Sequence, residues 1–293
     1  MAAPLTVEGW DGRDVRLGQV EAELARLRGL SAAEGRGSQQ RTSVMTHVAW
    51  VPPDWLDAAE RTLEGMAERH PSRTIILVPH PDSGQSRIDA EIAVRWFPAG
   101  DRSVCGELIE LHLHGERARA PASIVLPLLI SDLPVFLRWR GEPVFDGPQW
   151  VQLVEVADRV VVDSSEWREL RYRELAEAFG QAAVSDIAWA RLLPWRLELA
   201  GRWPGIRDQE IEIRGPRAEA ALLRGWLCAR LERVLPPAAS SRELGVRVEG
   251  DELAPQGAGV ASPSDLLSAE LERFGRDRVY EQAALAAAQL TGV

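Results

Sequence analysis

Residues 87–114 read RIDAEIAVRWFPAGDRSVCGELIELHLH, and the period of their apolar positions decides the architecture of the first half of the chain. In 87–97, Ile88, Ala90, Ile92, Val94 and Trp96 alternate with Arg87, Asp89, Glu91 and Arg95. Successive strand side chains point to opposite faces, so this run predicts a strand with one dry and one wet face. After a turn at Pro98–Asp101, 104–114 alternates again, with Ile109, Leu111 and Leu113 against Glu110, His112 and His114. The two runs are expected to pair as an antiparallel hairpin, Ile92 lying against Glu107–Leu113. The same alternation aims Glu107 at the dry side. Either a buried arginine neutralises it there, or a bulge at Gly106 turns it outward.

Working outward, Leu17, Val20, Leu24, Leu27 and Leu30 recur at helical spacing within Asp14–Leu30, so one stripe docks the helix, and the small, Gly-rich Ser31–Gln40 is a flexible loop. Arg41–Val51 is a strand that Pro52-Pro53 ends. A helix capped by Asp54 follows to about Arg69, with Trp55, Ala59, Leu63 and Met66 on one face, and His70-Pro71 closes it. Thr74–Val78 is a short apolar run of the kind buried on both faces. Beyond Gly115, helices at Ala120–Ile130 and Gln149–Val156 alternate with strands at Leu133–Trp139 and Arg159–Val162. Further helices are expected at Trp167–Phe179, with Ser165 as its cap, from Asp186 toward Leu199, from Pro216 at the first helical position to Arg233, and from Ser264 onward. Gln209–Arg214 and Leu244–Val248 are strands, and Asp251–Pro263 is a loop or linker. Alternating strands and helices imply crossovers and parallel pairing. The expectation is an α/β (α+β) protein: a mixed sheet with an antiparallel hairpin in the first half and β-α repeats in the second, in two packed domains. Its parts are an N-terminal helix and flexible loop (1–40), an α/β domain (41–165) and a C-terminal α/β domain ending in the last helix (166–293).

Composition bounds function. The 293 residues are 45% hydrophobic and 27% charged, as in globular chains, and a net charge of −10 disfavours a broad grip on nucleic acid or anionic membrane. No lysine is present, so all 34 basic residues are arginine. Pyridoxal Schiff bases, lysine-dependent aldolases, Walker A loops and the ATP-binding lysine of protein kinases are therefore excluded. Ala/Arg/Glu-rich usage fits a GC-rich bacterial genome. The two cysteines, Cys105 and Cys228, lie too far apart for a zinc knuckle or disulfide scaffold. Without a run of 18 apolar residues or a basic-then-apolar N-terminus, a cytoplasmic protein is expected.

Several residues invite chemistry, each with a plainer alternative. Glu110, His112 and His114 share one strand face, but same-strand neighbours stand about 6–7 Å apart, which strains shared ligation, so a solvated face is expected and no metal. His70 and Arg73 either form an anion site or complement the end of the preceding helix. Trp139-Arg140 and Asp163-Ser164 follow parallel strands, at the edge where open α/β sheets bind ligands, although Asp163 and Ser164 can equally satisfy a turn and a cap. Gly35-Arg36-Gly37 and Gly257-Ala258-Gly259 fail the dinucleotide fingerprint, and neither a nucleophile elbow nor a His-Glu-x-x-His pair occurs. No cofactor is expected, and an assembled active site is missing.

In order along the chain, Arg41-Thr42-Ser43-Val44, His70-Pro71-Ser72-Arg73, Cys105-Gly106-Glu107, Ser123–Leu129, Asp132-Leu133-Pro134-Val135, Trp139-Arg140-Gly141 and Ala157–Ser164, with the C-terminal 266–285, form a set. This ordered set resembles the glucose-6-phosphate dehydrogenase assembly protein family, OpcA, most strongly over 41–164. The resemblance implies a non-catalytic partner, an allosteric activator that binds glucose-6-phosphate dehydrogenase and favours its active oligomer in the oxidative pentose phosphate pathway. It transfers no catalytic residues, and since only Cys105 sits in a family stretch, no redox control either. Residues in or beside the family stretches, Arg41, Ser43, His70, Arg73, Glu107, Asp132, Trp139, Arg140, Asp163 and Ser164, are the candidate partner or ligand contacts. The competing class is an α/β enzyme or binding protein for a sugar phosphate or nucleotide, using His70, Arg73, Asp163 and Ser164 directly.

Overall fold

The computed structural model describes residues 6–33, 43–64, 66, 69–99 and 102–291. Most of the expected loop 31–40, Arg41 and Thr42, and the tip of the 98–101 turn at 100–101 lie outside them. The chain divides into two compact units, 1–160 and 161–293.

The first unit contains β1 (Thr6–Gly12), α1 (Leu17–Ala33), β2 (Thr46–Trp50), α2 (Leu56–Glu64), β3 (Arg73–His80), β4 (Ile88–Ala99), β5 (Arg102–His114), α3 (Pro121–Val125), β6 (Val135–Trp139) and α4 (Pro148–Val156). The unit boundary falls within β7 (Arg159–Val162). Neighbouring strands run β1-β4-β5-β3-β2-β6-β7. β4 and β5 pair antiparallel with Ile92 opposite Ile109, as the alternation requires, while β5–β3, β3–β2 and β2–β6 are parallel.

Register explains the two faces. Ile75, Leu77, Ile109, Leu111 and Leu113 are fully buried, and Val20, Leu24 and Leu27 of α1 are buried with them. On the opposite face Trp55, just before α2, and Leu56, Ala59 and Leu63 of α2 pack against Ala49, Val51, Ile76 and Val78. Covering both faces makes β3 continuously apolar. It also corrects the reading of 110–114 as a solvated face: Glu110 is 7% exposed and His112 and His114 are half-buried. A two-residue period separates the faces but does not report whether a second layer covers the polar one.

The second unit holds α5 (Tyr172–Leu175), β8 (Ala183–Asp186), α6 (Ile187–Arg191), α7 (Leu193–Ala200), β9 (Ile211–Gly215), α8 (Arg217–Leu231), β10 (Ala239–Ser240), β11 (Gly245–Val248), β12 (Asp251–Glu252), α9 (Pro263–Leu271) and α10 (Arg278–Thr291). A four-stranded sheet runs β10-β9-β11-β12. Asp186 caps α6 through Ala188 N–H, as expected, but the single helix expected toward Leu199 is two, α6 and α7, the second with Pro194 in its first turn. Several other boundaries move. Asp163, not Ser165, is the cap after β7, and the expected helix 167–179 shortens to α5 followed by a 3-10 turn. Pro216 precedes α8 as its cap instead of occupying the first helical position, and a 3-10 turn at Pro53–Trp55 leads into α2 in place of an Asp54 cap. The helix expected over 120–130 stops at Val125, where Pro127 shifts the chain into a 3-10 turn. The last helix is two, because Asp277 accepts from the N–H groups of Val279 and Tyr280 and starts α10 afresh. Among the described residues no helix is long and apolar enough to cross a membrane.

Candidate functional site

Parallel strands β2 and β6 end side by side, with Trp50 opposite Trp139. Their rings stack at 5.1 Å, and Trp150 of α4 meets Trp139 edge-on at 5.2 Å, with Phe145 against Trp150 at 5.1 Å. Pro52-Pro53 cannot continue the strand ladder, and the chain turns with Trp55 N–H on Pro52 O at 2.8 Å, bringing the half-buried Trp55 to this edge. Arg140 N–H donates to Trp50 O at 2.9 Å, and its guanidinium lies 4.8 Å from the Trp55 ring centre. Gly141 makes this possible, because its φ of +74° is a conformation that side chains with a Cβ rarely adopt. Val144 beside it is 62% exposed. The result is a buried aromatic base under an arginine, a half-exposed tryptophan and an exposed apolar side chain, at the carboxyl edge of parallel strands. Such an arrangement can bury aromatic and guanidinium surface against a partner; it offers no nucleophile.

The other sequence-proposed residues of this unit serve its interior. Arg73 lies opposite Glu107 in the β3–β5 register. Arg73 Nε donates to Glu107 Oε2 at 2.7 Å, Nη1 to Glu21 Oε1 and to Leu128 O at 2.6 Å each, and Arg28 Nη1 reaches Glu107 Oε1 at 2.9 Å. Both Arg73 and Glu107 side chains are 2% exposed. The internal ion pair, not the bulge, is therefore realised, and the Arg73 guanidinium, whose Nη2 makes no hydrogen bond, is buried out of reach of a solvent anion. His70 is buried, Ser43 is half-buried ahead of β2, and Asp132 is exposed with φ +65° before β6. Burial, helped by Arg138 and His70, pushes buried His47 down to about 4, so it is neutral.

The histidine face forms a chain. His112 Nε2–H donates to Glu110 Oε1 at 2.9 Å, His112 Nδ1 faces His80 Nε2 at 2.9 Å, His80 stacks on His114 at 4.7 Å, and His114 Nε2 reaches Asp89 Oδ2 at 3.1 Å. The Glu110 hydrogen bond raises the His112 pKa, while burial lowers those of His80 and His114. Burial opposes the charge on Asp89, yet the Arg87 guanidinium and Asp14 N–H outweigh it and hold the carboxyl at about 2. Four of the six ring nitrogens point at these partners, and among the described residues no group of three His, Cys, Asp or Glu is arranged to hold a metal ion.

In the second unit Asp163 and Ser164 are buried. Arg191 grips Asp163 with both terminal nitrogens at 3.2 and 2.6 Å and also reaches Glu219 at 3.1 Å. Asp163 accepts from Ser165 N–H and Oγ–H, and Ser164 Oγ lies 2.9 Å from Tyr172 OH. Asp186 accepts from Ser164 N–H at 3.0 Å and Tyr280 O–H at 3.4 Å. Burial, reinforced by Asp163, pushes Asp186 up to about 7, and burial pushes both tyrosines well above 10. Turn and cap, the plainer alternative for Asp163 and Ser164, is what this network shows. Arg191, Glu219, Asp186, Tyr172, Trp50, Trp55 and Trp150 were not legible as site residues; the one available signal was Pro52-Pro53 followed by Trp55.

A family model described as the glucose-6-phosphate dehydrogenase subunit N-terminal domain matches residues 64–177. Over residues 64–177 the chain is similar to the OpcA family. The OpcA protein of Nostoc punctiforme is 29% identical over 191 residues, which are 59% of this chain and 40% of that protein. Those of Synechocystis sp. and Synechococcus elongatus are 26% and 25% identical over 184 and 185 residues, covering 57% of this chain and 38% and 41% of theirs. All three carry the provisional description of OxPP cycle protein. The chain thus spans about two fifths of the length of these curated relatives. Trp139, Arg140, Val144, Phe145 and Trp150 lie inside the stretch that matches the OpcA model, and Trp50 and Trp55 lie before it.

Proposed function

We propose that this chain is a bacterial, non-catalytic partner of glucose-6-phosphate dehydrogenase that binds the dehydrogenase and favours its active oligomer, working in the cytoplasm. The observation that carries this reading is the match of 64–177 to a domain described by that enzyme's name. Physically, a partner that binds one oligomeric form better than another shifts their ratio by the difference in binding free energy, about 1.4 kcal/mol for tenfold. A stable contact of this kind covers about 800 Å² per partner and is anchored by aromatic and arginine side chains. Arg140 and Trp55, with Val144, supply such anchors on the first unit. Asp132 and Ser43 are secondary contact candidates. Arg73, Glu107, Trp139, Asp163 and Ser164 act on any contact through the fold, because their side chains are buried.

The alternative, a sugar-phosphate or nucleotide site built on His70, Arg73, Asp163 and Ser164, loses support where Arg73 and Asp163 are already matched by internal counter-charges. The test mixes the purified chain with glucose-6-phosphate dehydrogenase from the same organism. Activity and oligomer size should change saturably with the ratio of the two. Trp55→Ala and Arg140→Ala should each weaken the half-maximal ratio about tenfold, the loss of an anchor worth more than about 1 kcal/mol. Undiminished action by both variants removes this surface from the contact.

A further inference from the structure

The second unit contains a cavity of about 330 Å³ between α8, β10 and α10, with Gly215 and Leu170 completing its lining. Its walls are small and apolar: Ala220 and Ala221 of α8, Ala238 beside β10, and Ala287 and Leu290 of α10. Two guanidiniums break this pattern. Arg217 and Arg224 stand seven residues apart on α8, hence on one face about 10 Å apart along the axis, with Ala220 and Ala221 between them. Among the described residues no carboxylate lines the cavity.

Among the described residues both arginines are tethered by neutral acceptors alone. Arg217 Nη1 donates to Arg168 O, and Arg224 donates through Nε and Nη2 to Leu235 O at 3.1 and 2.8 Å. These bonds fix the side chains without neutralising them and leave Arg217 Nε and Nη2 and Arg224 Nη1 available. In a chain of net charge −10, two cations with no carboxylate partner among the described residues, beside an apolar hollow, form a complementary surface for one chemistry. We propose that this cavity binds a small amphiphilic carboxylate, its apolar body against the alanine walls and its carboxylate between Arg217 and Arg224. At about 30 Å³ of liquid volume per water-sized group, the cavity holds on the order of ten non-hydrogen atoms, the size of octanoate.

Octanoate is therefore the probe, titrated into the full chain by calorimetry, with octanol as the uncharged control. The expected result is saturable one-to-one binding of octanoate and at least tenfold weaker binding of octanol, since hydrogen bonds to a charged group contribute about 1.5–3 kcal/mol. Ala221→Leu projects into the hollow from a half-exposed helix position and should abolish binding. Arg217→Gln, at an exposed position outside the core, should weaken octanoate about tenfold while leaving octanol unchanged. Failure of octanoate to saturate at millimolar concentration, equal binding of octanol, or unaltered binding by either variant overturns the proposal. The dehydrogenase assay has no part in this test, so the two readings stand or fall separately.

Discussion

Replacing Glu107 by glutamine probes the buried ion pair between β3 and β5 in the first unit's core. Glutamine keeps the shape and one acceptor but removes the charge and turns an N–H₂ toward guanidiniums that only donate. Arg73, with its side chain 2% exposed, would keep Glu21 as its counter-charge, and that side chain is 34% exposed. At 2.7 Å and an effective dielectric of 20, the Arg73–Glu107 attraction has an upper bound of about 6 kcal/mol. Removing one member of a buried pair strands the other and typically costs about 3–5 kcal/mol. For a unit of this size that is a fall in Tm of about 6–20 °C. The assay is urea and thermal unfolding followed by tryptophan fluorescence. The double variant Arg73→Met, Glu107→Leu separates the charge effect from packing: with both charges gone it should lie within about 2 kcal/mol of the parent. A loss below about 1 kcal/mol in Glu107→Gln would refute the reasoning, as would a double variant weaker than the single one.

Further outcomes follow from other groups. Between its unfolded value of 3.8 and about 7, native Asp186 holds a proton that the unfolded chain has released, so its contribution to stability falls as pH rises through that window and levels off above it. Asp186→Asn should remove this slope, gaining on the parent by on the order of 3 kcal/mol between pH 4 and pH 8; parallel pH profiles for the two proteins would count against it. Gly141→Ala forces a β-carbon into the left-handed region at a cost of about 1–2 kcal/mol, seen as a lower Tm, and should weaken dehydrogenase binding through displacement of Arg140. Burial, with help from Glu107, pushes the Cys105 thiol up to about 12, so iodoacetamide at pH 8 should leave it unmodified in the native protein and label it after denaturation, read by peptide mass.

Local periods carried much of the fold. The β4–β5 pairing, the α1 stripe and the two-sided burial of β3 follow from spacing that neighbouring residues set. β1 escaped because TVEGWDG mixes glycines and charges without a clean period; it becomes a strand through its antiparallel pairing with β4. β8 is four residues long, too short for a period to emerge. The break between α9 and α10 had a readable signal in Asp277, a capping residue two positions after Gly275. The Glu107 ion pair was legible because a carboxylate on a dry face demands a cation. By contrast, the grip of Arg191 on Asp163 joins residues 28 positions apart, and the pairing of His112 with His80 joins residues 32 apart on different strands. Trp139 and Arg73 read as surface anchors because composition marks tryptophan and arginine without revealing depth. The half-buried anchor, Trp55, owes its position to the prolines before it.

The central claim is that the chain acts on glucose-6-phosphate dehydrogenase instead of performing chemistry itself. The most direct measurement is sedimentation of the dehydrogenase alone and with increasing amounts of this chain, with NADP reduction followed in the same samples. The expected result is no reduction by the chain alone, and a saturable rise in both the larger dehydrogenase species and its activity, reaching a plateau at a fixed ratio of the two proteins. Unchanged sedimentation and unchanged activity across a wide range of ratios would contradict it.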